Sequence, residues 1–228
     1  GNSESVLGEL GVNKWKIVTK IPAIVPEQYD PEQWIIKSVR SSLKSLRSES
    51  VYGVIFHRPE QLLGSSGHKM YETLCKLKSD GIIRKIGISV YCPSEIDQIL
   101  ESYPLDLVQA PLNIFDRRLT KPPYINTIST QDIELHVRSV FLQGLLLMPK
   151  SNLPIGFHKW DELWTKYYSW LSGLRITPAE ACIRYALSHA QVSRIVIGVQ
   201  SCIQLRACID AIMKGPIETA VHTHLDCW

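Results

Sequence analysis

Six apolar runs punctuate the chain, at 15–20, 51–57, 83–89, 105–113, 135–141 and 194–201, and each closes on a polar or aromatic residue. Stretches with helical spacing separate them. Continuous Val/Ile/Leu runs are the pattern of parallel strands buried on both faces. In such a sheet all C-terminal strand ends point one way, so polar residues there converge on one mouth. Lys20, His57, Ser89, Gln109, Asn113, Ser139 and Ser201 are candidates for a single site on this ground.

The intervening helices carry readable starts. Asp30-Pro31-Glu32-Gln33 offers an Asp cap with Pro at the first helical position. Ile35, Val39, Leu43 and Leu46 then fall on one face. Met70, Leu74 and Leu77 form a second stripe, stopped by Asp80-Gly81. Ser94-Glu95-Ile96-Asp97 opens a third helix, with Ile96, Ile99 and Leu100 inward. Thr177-Pro178-Ala179-Glu180 and Ser201-Cys202-Ile203-Gln204 are capping boxes. The second is expected to lead a helix burying Leu205, Cys208, Ile209 and Ile212. Strands alternating with such helices imply a parallel sheet with right-handed crossovers. Six successive units favour a barrel over a doubly wound sheet.

Between Met148 and Gly173 the alternation lapses. Trp160, Trp164 and Tyr167 keep helical spacing there, so an amphipathic helix packed on the barrel is preferred to a substrate-contacting aromatic wall.

Composition narrows the function classes. The chain has 228 residues, 45% of them apolar, enough for one substantial core in a single domain. A net charge of +3, with 25 basic residues scattered along the chain, gives no nucleic-acid signature. No run approaches the roughly 18 apolar residues of a membrane span. The first ten residues lack a signal-peptide pattern. Six cysteines form no CxxC pair, which suits free, mostly buried thiols in a cytoplasmic setting. His222, His224, Asp226 and Cys227 are zinc-ligand types, but their spacing matches no closed site.

Five fragments together resemble the aldo-keto reductase family in order and spacing. They are Ile17-Val18-Thr19-Lys20, Phe56-His57-Arg58-Pro59, the stretch 81–89 ending Gly87-Ile88-Ser89, the stretch 108–117 around Gln109 and Asn113, and the stretch 197–205 from Ile197-Gly198 to Leu205. The opening Gly1-Asn2-Ser3-Glu4 is similar to the start of that family's second barrel helix.

The resemblance implies a (β/α)8 TIM-type barrel, incomplete here, with about six strand-helix units over residues 1–228 in one domain. The first two units would be absent, leaving two open sheet edges. It implies reduction of an aldehyde or ketone with NADPH, or with NADH, by an Asp, a Tyr proton donor, a Lys and a His. It places the Lys at Lys20 and the His at His57. A buried ammonium beside a phenol favours the phenolate, and a His at a barrel mouth can polarise a carbonyl oxygen. Taken alone, Lys20 reads as a snorkelling strand-end lysine and His57 as a core histidine.

The family's Asp and Tyr precede the Gly-Asn-Ser-Glu segment, so neither has a counterpart in these residues. Tyr29, Tyr52 and Tyr91 are poor substitutes by position. The resemblance gives the nicotinamide carboxamide to Ser89 and Gln109, with Val90 where the family commonly has Asn. Ser139, Phe141, Leu142, Gly144 and Leu145 resemble the pyrophosphate segment. Gly198, Gln200, Ser201 and Gln204 resemble the last phosphate and adenosine contact. Ser201 also reads, without analogy, as a helix start suited to an anion or as an ordinary cap. Cys208 stands where an adenine-contacting Asn is usual, and Arg206 is the cation near a possible 2′-phosphate. The partner implied is a small carbonyl compound, its pocket formed by 58–66, the Trp-rich stretch and the C-terminal tail. A non-catalytic, cofactor-sensing protein of the same fold is the alternative.

Overall fold

The computed structural model describes residues 2–11, 14–24 and 30–217. Helix α1 (Ser3–Leu10) precedes β1 (Val18–Ile21), α2 (Pro31–Leu46), β2 (Val51–Phe56), α3 (Gly67–Ser79), β3 (Ile83–Ser89) and α4 (Ser94–Leu100). There follow β4 (Leu107–Pro111), α5 (Tyr124–Thr130), β5 (Glu134–Arg138), α6 (Asp161–Leu174), α7 (Pro178–Leu187), β6 (Val192–Ile195) and α8 (Cys202–Met213). The strands take the sheet order β1-β2-β3-β4-β5-β6. Two compact units make up the chain: residues 1–110 with 126–134, and residues 111–125 with 135–228.

In the first unit the pairing is parallel, with Lys20 opposite Ile55, Ile55 opposite Gly87, and Ser89 opposite Gln109. Its core is aliphatic: Val54, Ile55, Ile86, Ile88, Leu107 and Val108 from the strands meet Ile35, Val39, Leu74 and Ile96 from the helices, all at 1% exposure or less. The helix starts behave as the pattern predicts. Asp30 accepts a hydrogen bond from the Glu32 N–H, with Pro31 at the first position. Gly81 takes φ +75° after α3, a left-handed turn that favours glycine. Gly87 is required for another reason: a Cβ there would sit 2.1 Å from the Leu107 carbonyl oxygen. Asp106 carries the β3–β4 junction, its carboxylate accepting from the Ile86 N–H at 2.8 Å and from Lys78 at 2.7 Å.

In the second unit β5 and β6 pair in parallel, with a register irregularity at Leu135/His136. Helix α6 confirms the bland reading of the aromatic stretch. Trp164, Tyr167 and Trp170 are buried, Trp164 meeting Phe115 edge-on at 5.0 Å. Trp160 lies before the helix, with Lys159 over its ring at 4.2 Å. Thr177 caps α7 by accepting from the Glu180 N–H, but the Glu180 carboxylate turns to Arg184 and Lys214 instead of closing the box.

The structure corrects several boundaries. The sequence pattern puts the last run at 194–201, whereas β6 is Val192–Ile195, only half-buried and ending before Gly198. The Val196 N–H still donates to the Val137 carbonyl at 2.7 Å, and apolar character past that last bond does not extend the strand. Strand β5 stops at Arg138 because Ser139 takes φ +59°. The face expected for α8 is also revised. Cys208 and Ala211 are buried against Ile183, while Leu205, Ile209 and Ile212 are 44–50% exposed. Of the described cysteines, Cys75, Cys92 and Cys202 are exposed and only Cys182 and Cys208 are buried, against the expectation of mostly buried thiols. No described helix is long and apolar enough to cross a membrane. The His222–Cys227 segment, Trp228, Gly1 and Tyr29 lie outside the described residues.

Candidate active site at the strand ends

In the first unit, three residues singled out from sequence meet. The Lys20 ammonium, on β1, donates to Gln109 Oε1 at 2.6 Å and to Ser89 Oγ at 3.3 Å. Ser89 ends β3 and Gln109 lies beside it on β4; they are 1% and 6% exposed. Sheet register thus sets both polar groups at one level, and Lys20 reaches them across β2. Lys20 as a residue is exposed, although both acceptors of its ammonium are buried. Strand β1 comes first in the sheet order, so its stem meets solvent while its head finds two buried acceptors.

His57 directly follows β2, its N–H bonded to the Ile21 carbonyl at 3.1 Å. Its side chain is exposed, which removes the core-histidine reading. Val90, where the family commonly has Asn, is fully buried, and its N–H donates to the Gln109 carbonyl at 2.9 Å. The Tyr52 hydroxyl is committed elsewhere: at the start of β2 it donates to Glu134 Oε2 at 2.6 Å. Burial, and then that carboxylate, holds its pKa above the ordinary phenol value. Tyr52 is therefore no proton donor for Lys20 to tune.

Sequence reasoning missed one clamp here. Gln61 donates to the Ile24 carbonyl at 2.8 Å and accepts from the Ile24 N–H at 3.1 Å, tying the exit of β1 to the turn after His57. A lone Gln in a short 3-10 segment (Pro59–Leu63) carries no pattern that would reveal it.

In the second unit, Asn113 is 1% exposed and works as an anchor. Its amide donates to the Ser139 carbonyl at 3.2 Å and accepts from the N–H groups of Phe115 and Asp116. Following Ser139, the chain takes positive φ at Leu142 (46°), Gln143 (56°) and Gly144 (87°). Three consecutive left-handed residues, two of them not glycine, cost on the order of 1 kcal/mol for each non-glycine. Two of the three N–H groups are used within the loop, Leu142 donating to the Ser139 carbonyl at 2.8 Å and Gly144 to the Phe141 carbonyl at 2.9 Å. Phe141 packs with Leu187 and Ile195 on the Ile183, Cys208 and Ala211 cluster. Its ring is thus engaged in packing.

At the start of α8, Ser201 accepts from the Gln204 N–H at 3.2 Å, and Gln204 Oε1 accepts from the Gln200 N–H at 2.8 Å. Gly198 is exposed, and a Cβ there would meet nothing within 4 Å. The protein itself therefore does not demand glycine at 198. Cys208 points into the core, away from any ligand at that helix start. Among the described residues no cluster of His, Cys, Asp and Glu could hold a metal ion.

A profile of the aldo/keto reductase family matches residues 1–227. The chain belongs to the aldo/keto reductase family. Solved structures agree on the fold. An aldo-keto reductase from Bacillus halodurans superposes with TM-score 0.74 in its holo form, at 21% identity over 97% of this chain and 75% of that one. A thermostable aldo-keto reductase complexed with the inhibitor epalrestat gives TM-score 0.75 at 17% identity, over 99% and 77%. The six parallel strands alternating with helices are thus a part of the family's (β/α)8 fold. No curated protein matches the sequence. Family membership makes the chain a member of an oxidoreductase family that generally uses nicotinamide cofactors and acts on small carbonyl compounds.

Proposed function

We propose that this reductase chain holds a nicotinamide cofactor, NADPH by preference and NADH as a second choice, for reduction of an aldehyde or ketone. The observation that carries the reading is the Lys20–Gln109–Ser89 cluster. The residue assigned to catalysis lies within hydrogen-bond distance of both residues assigned to the carboxamide. A carboxamide needs one acceptor and one donor, and the Gln109 amide with the Ser89 hydroxyl offers both. Both are buried, so a polar ligand finds them already desolvated.

When bound, the cofactor supplies hydride. Lys20 then leaves Gln109 and presents its ammonium to a phenol or carbonyl oxygen, favouring the anionic form there. His57, exposed at the end of β2, orients the substrate oxygen with a ring N–H. In the second unit, Ser139, Phe141, Leu142 and Gly144 belong to the loop assigned to the pyrophosphate, which turns through positive φ at Leu142, Gln143 and Gly144. Gly198, Gln200, Ser201 and Gln204 are assigned to the remaining phosphate and the adenosine. The open space around Gly198 suits a ligand's approach.

The proton donor and its Asp partner have no counterpart among these residues, so the 228-residue chain alone binds cofactor with little turnover. That same observation favours a second reading, a cofactor-binding protein that signals and does not reduce. Following NADPH oxidation across a panel of aliphatic and aromatic aldehydes tests the pair. Carbonyl-dependent oxidation, once an Asp- and Tyr-bearing preceding segment is supplied, supports the reductase. Binding with no oxidation under that condition supports the second reading, and no binding at all contradicts both. A single barrel domain, working in the cytoplasm, completes the proposal.

A further inference from the structure

The opposite ends of the same strands carry a second feature. A recess of about 550 Å³ opens beside the starts of β1, β2 and β3 in the first unit. Lys14 and Lys16 reach it from the approach to β1, Arg47 from the end of α2, and Arg84 from β3. Glu49 is the one acidic residue in the lining. The formal charge of this wall matches that of the whole chain, +3.

These cations are not spent on ion pairs. Among the described residues neither Lys14, Arg47 nor Arg84 forms a salt bridge, whereas Lys78, Lys85 and Lys69 each hold a carboxylate. Lys16 lies over the Tyr52 ring at 4.8 Å, a contact that leaves its charge uncompensated. Like charges held together without a counter-ion repel, and a bound polyanion relieves that repulsion. Beside them Trp15 lines the same recess and is 74% exposed. An exposed indole next to guanidinium and ammonium groups is a stacking face for a nucleobase.

The geometry points to a binding site for a nucleoside polyphosphate in this recess, its phosphates held by Lys14, Lys16, Arg47 and Arg84 and its base on Trp15. The site is distinct from the Lys20–Gln109–Ser89 cluster, which sits at the C-terminal ends of those strands. The inference stands whether or not the chain reduces carbonyls.

Isothermal titration of the 228-residue chain with ATP, tripolyphosphate and adenosine tests it. Saturable binding of ATP and, more weakly, of tripolyphosphate is expected, with none for adenosine. The double variant Lys14→Glu/Arg84→Glu is expected to weaken ATP by at least about tenfold, the loss of roughly one charge contact in free energy. Gln109→Leu, at the other strand end, is expected to leave this binding unchanged. Thermal unfolding by circular dichroism checks that the variants fold, and the milder pair Lys14→Gln/Arg84→Gln replaces the reversal if they do not. Absence of saturable ATP binding overturns the inference. So does ATP binding that survives the charge changes but is lost in Gln109→Leu. An unchanged ATP affinity in Trp15→Ala overturns the nucleoside assignment.

Discussion

Substituting Gly87 by Ala should damage both the fold and the candidate site. The ideal Cβ would lie 2.1 Å from the Leu107 carbonyl oxygen, 2.9 Å from its carbonyl carbon and 3.0 Å from its Cβ. The two nearest are backbone atoms of β4, so no side-chain rotation relieves them. For a tolerable contact the strands must separate by roughly 1 Å, on a normal spacing of about 4.8 Å. Gly87 pairs with Leu107 two positions before Ser89 pairs with Gln109, so the separation reaches the Lys20 cluster. The destabilisation should stand near the top of the overpacking range, about 3 kcal/mol. A displacement of that size in a binding constellation can cost about a hundredfold in function. Urea unfolding followed by circular dichroism gives the first quantity, and a cofactor titration of the folded fraction gives the second. A Gly87→Ala variant within about 0.5 kcal/mol of the parent, a change typical of neutral surface sites, would refute the strand-spacing argument.

Three further outcomes are expected. Gly198→Ala should leave stability within about 0.5 kcal/mol by urea unfolding, its Cβ entering open space, yet should weaken cofactor if a ligand approaches there. Burial pushes the Glu180 carboxyl up, but the Lys214 and then the Arg184 hydrogen bonds outweigh it and hold its pKa below the ordinary carboxylate value. A group depressed in the folded state contributes stability above its unfolded pKa and loses it as pH falls through the folded value. Glu180→Gln should therefore cost about 2 kcal/mol at neutral pH, a deficit that shrinks on acidification below about 4.5 in pH-dependent denaturation curves. On α8, Met213→Lys at 81% exposure should be neutral, while Ala211→Asp at 2% should cost about 3 kcal/mol or more in thermal or urea unfolding.

The fold was legible where two constraints agreed. Ile83–Ser89 reads as a strand to the residue because it is apolar, flanked by Gly81 and polar residues, and paired on both sides. Helix α2 was legible from Asp30-Pro31 and its apolar stripe together. Legibility fails at the ends of the sheet order. Val196 and Val199 are as apolar as any strand residue, yet among the described residues the last backbone bond of the run to β5 is Val196 N–H to the Val137 carbonyl, and both stay exposed. Ile209 and Ile212 are exposed too, because period reports which residues share a face and not whether anything covers it.

The candidate site divides similarly. Lys20, Ser89 and Gln109 were readable because strand ends place them at one level. The Asn113 and Gln61 clamps bind backbone groups, and backbone geometry leaves no residue pattern to read. Nor could sequence show the basic recess: Lys14, Lys16, Arg47 and Arg84 are scattered along the chain and meet only through the strand starts.

The most direct test of the central claim is an equilibrium titration of the chain with NADPH, followed by nicotinamide fluorescence, for the parent and Gln109→Leu. The account predicts saturable one-to-one binding by the parent. It predicts affinity weaker by about ten- to a hundredfold in the variant, the loss of one or two buried hydrogen bonds to the carboxamide. Equal affinity in the two proteins, or no saturable binding by the parent, would contradict it.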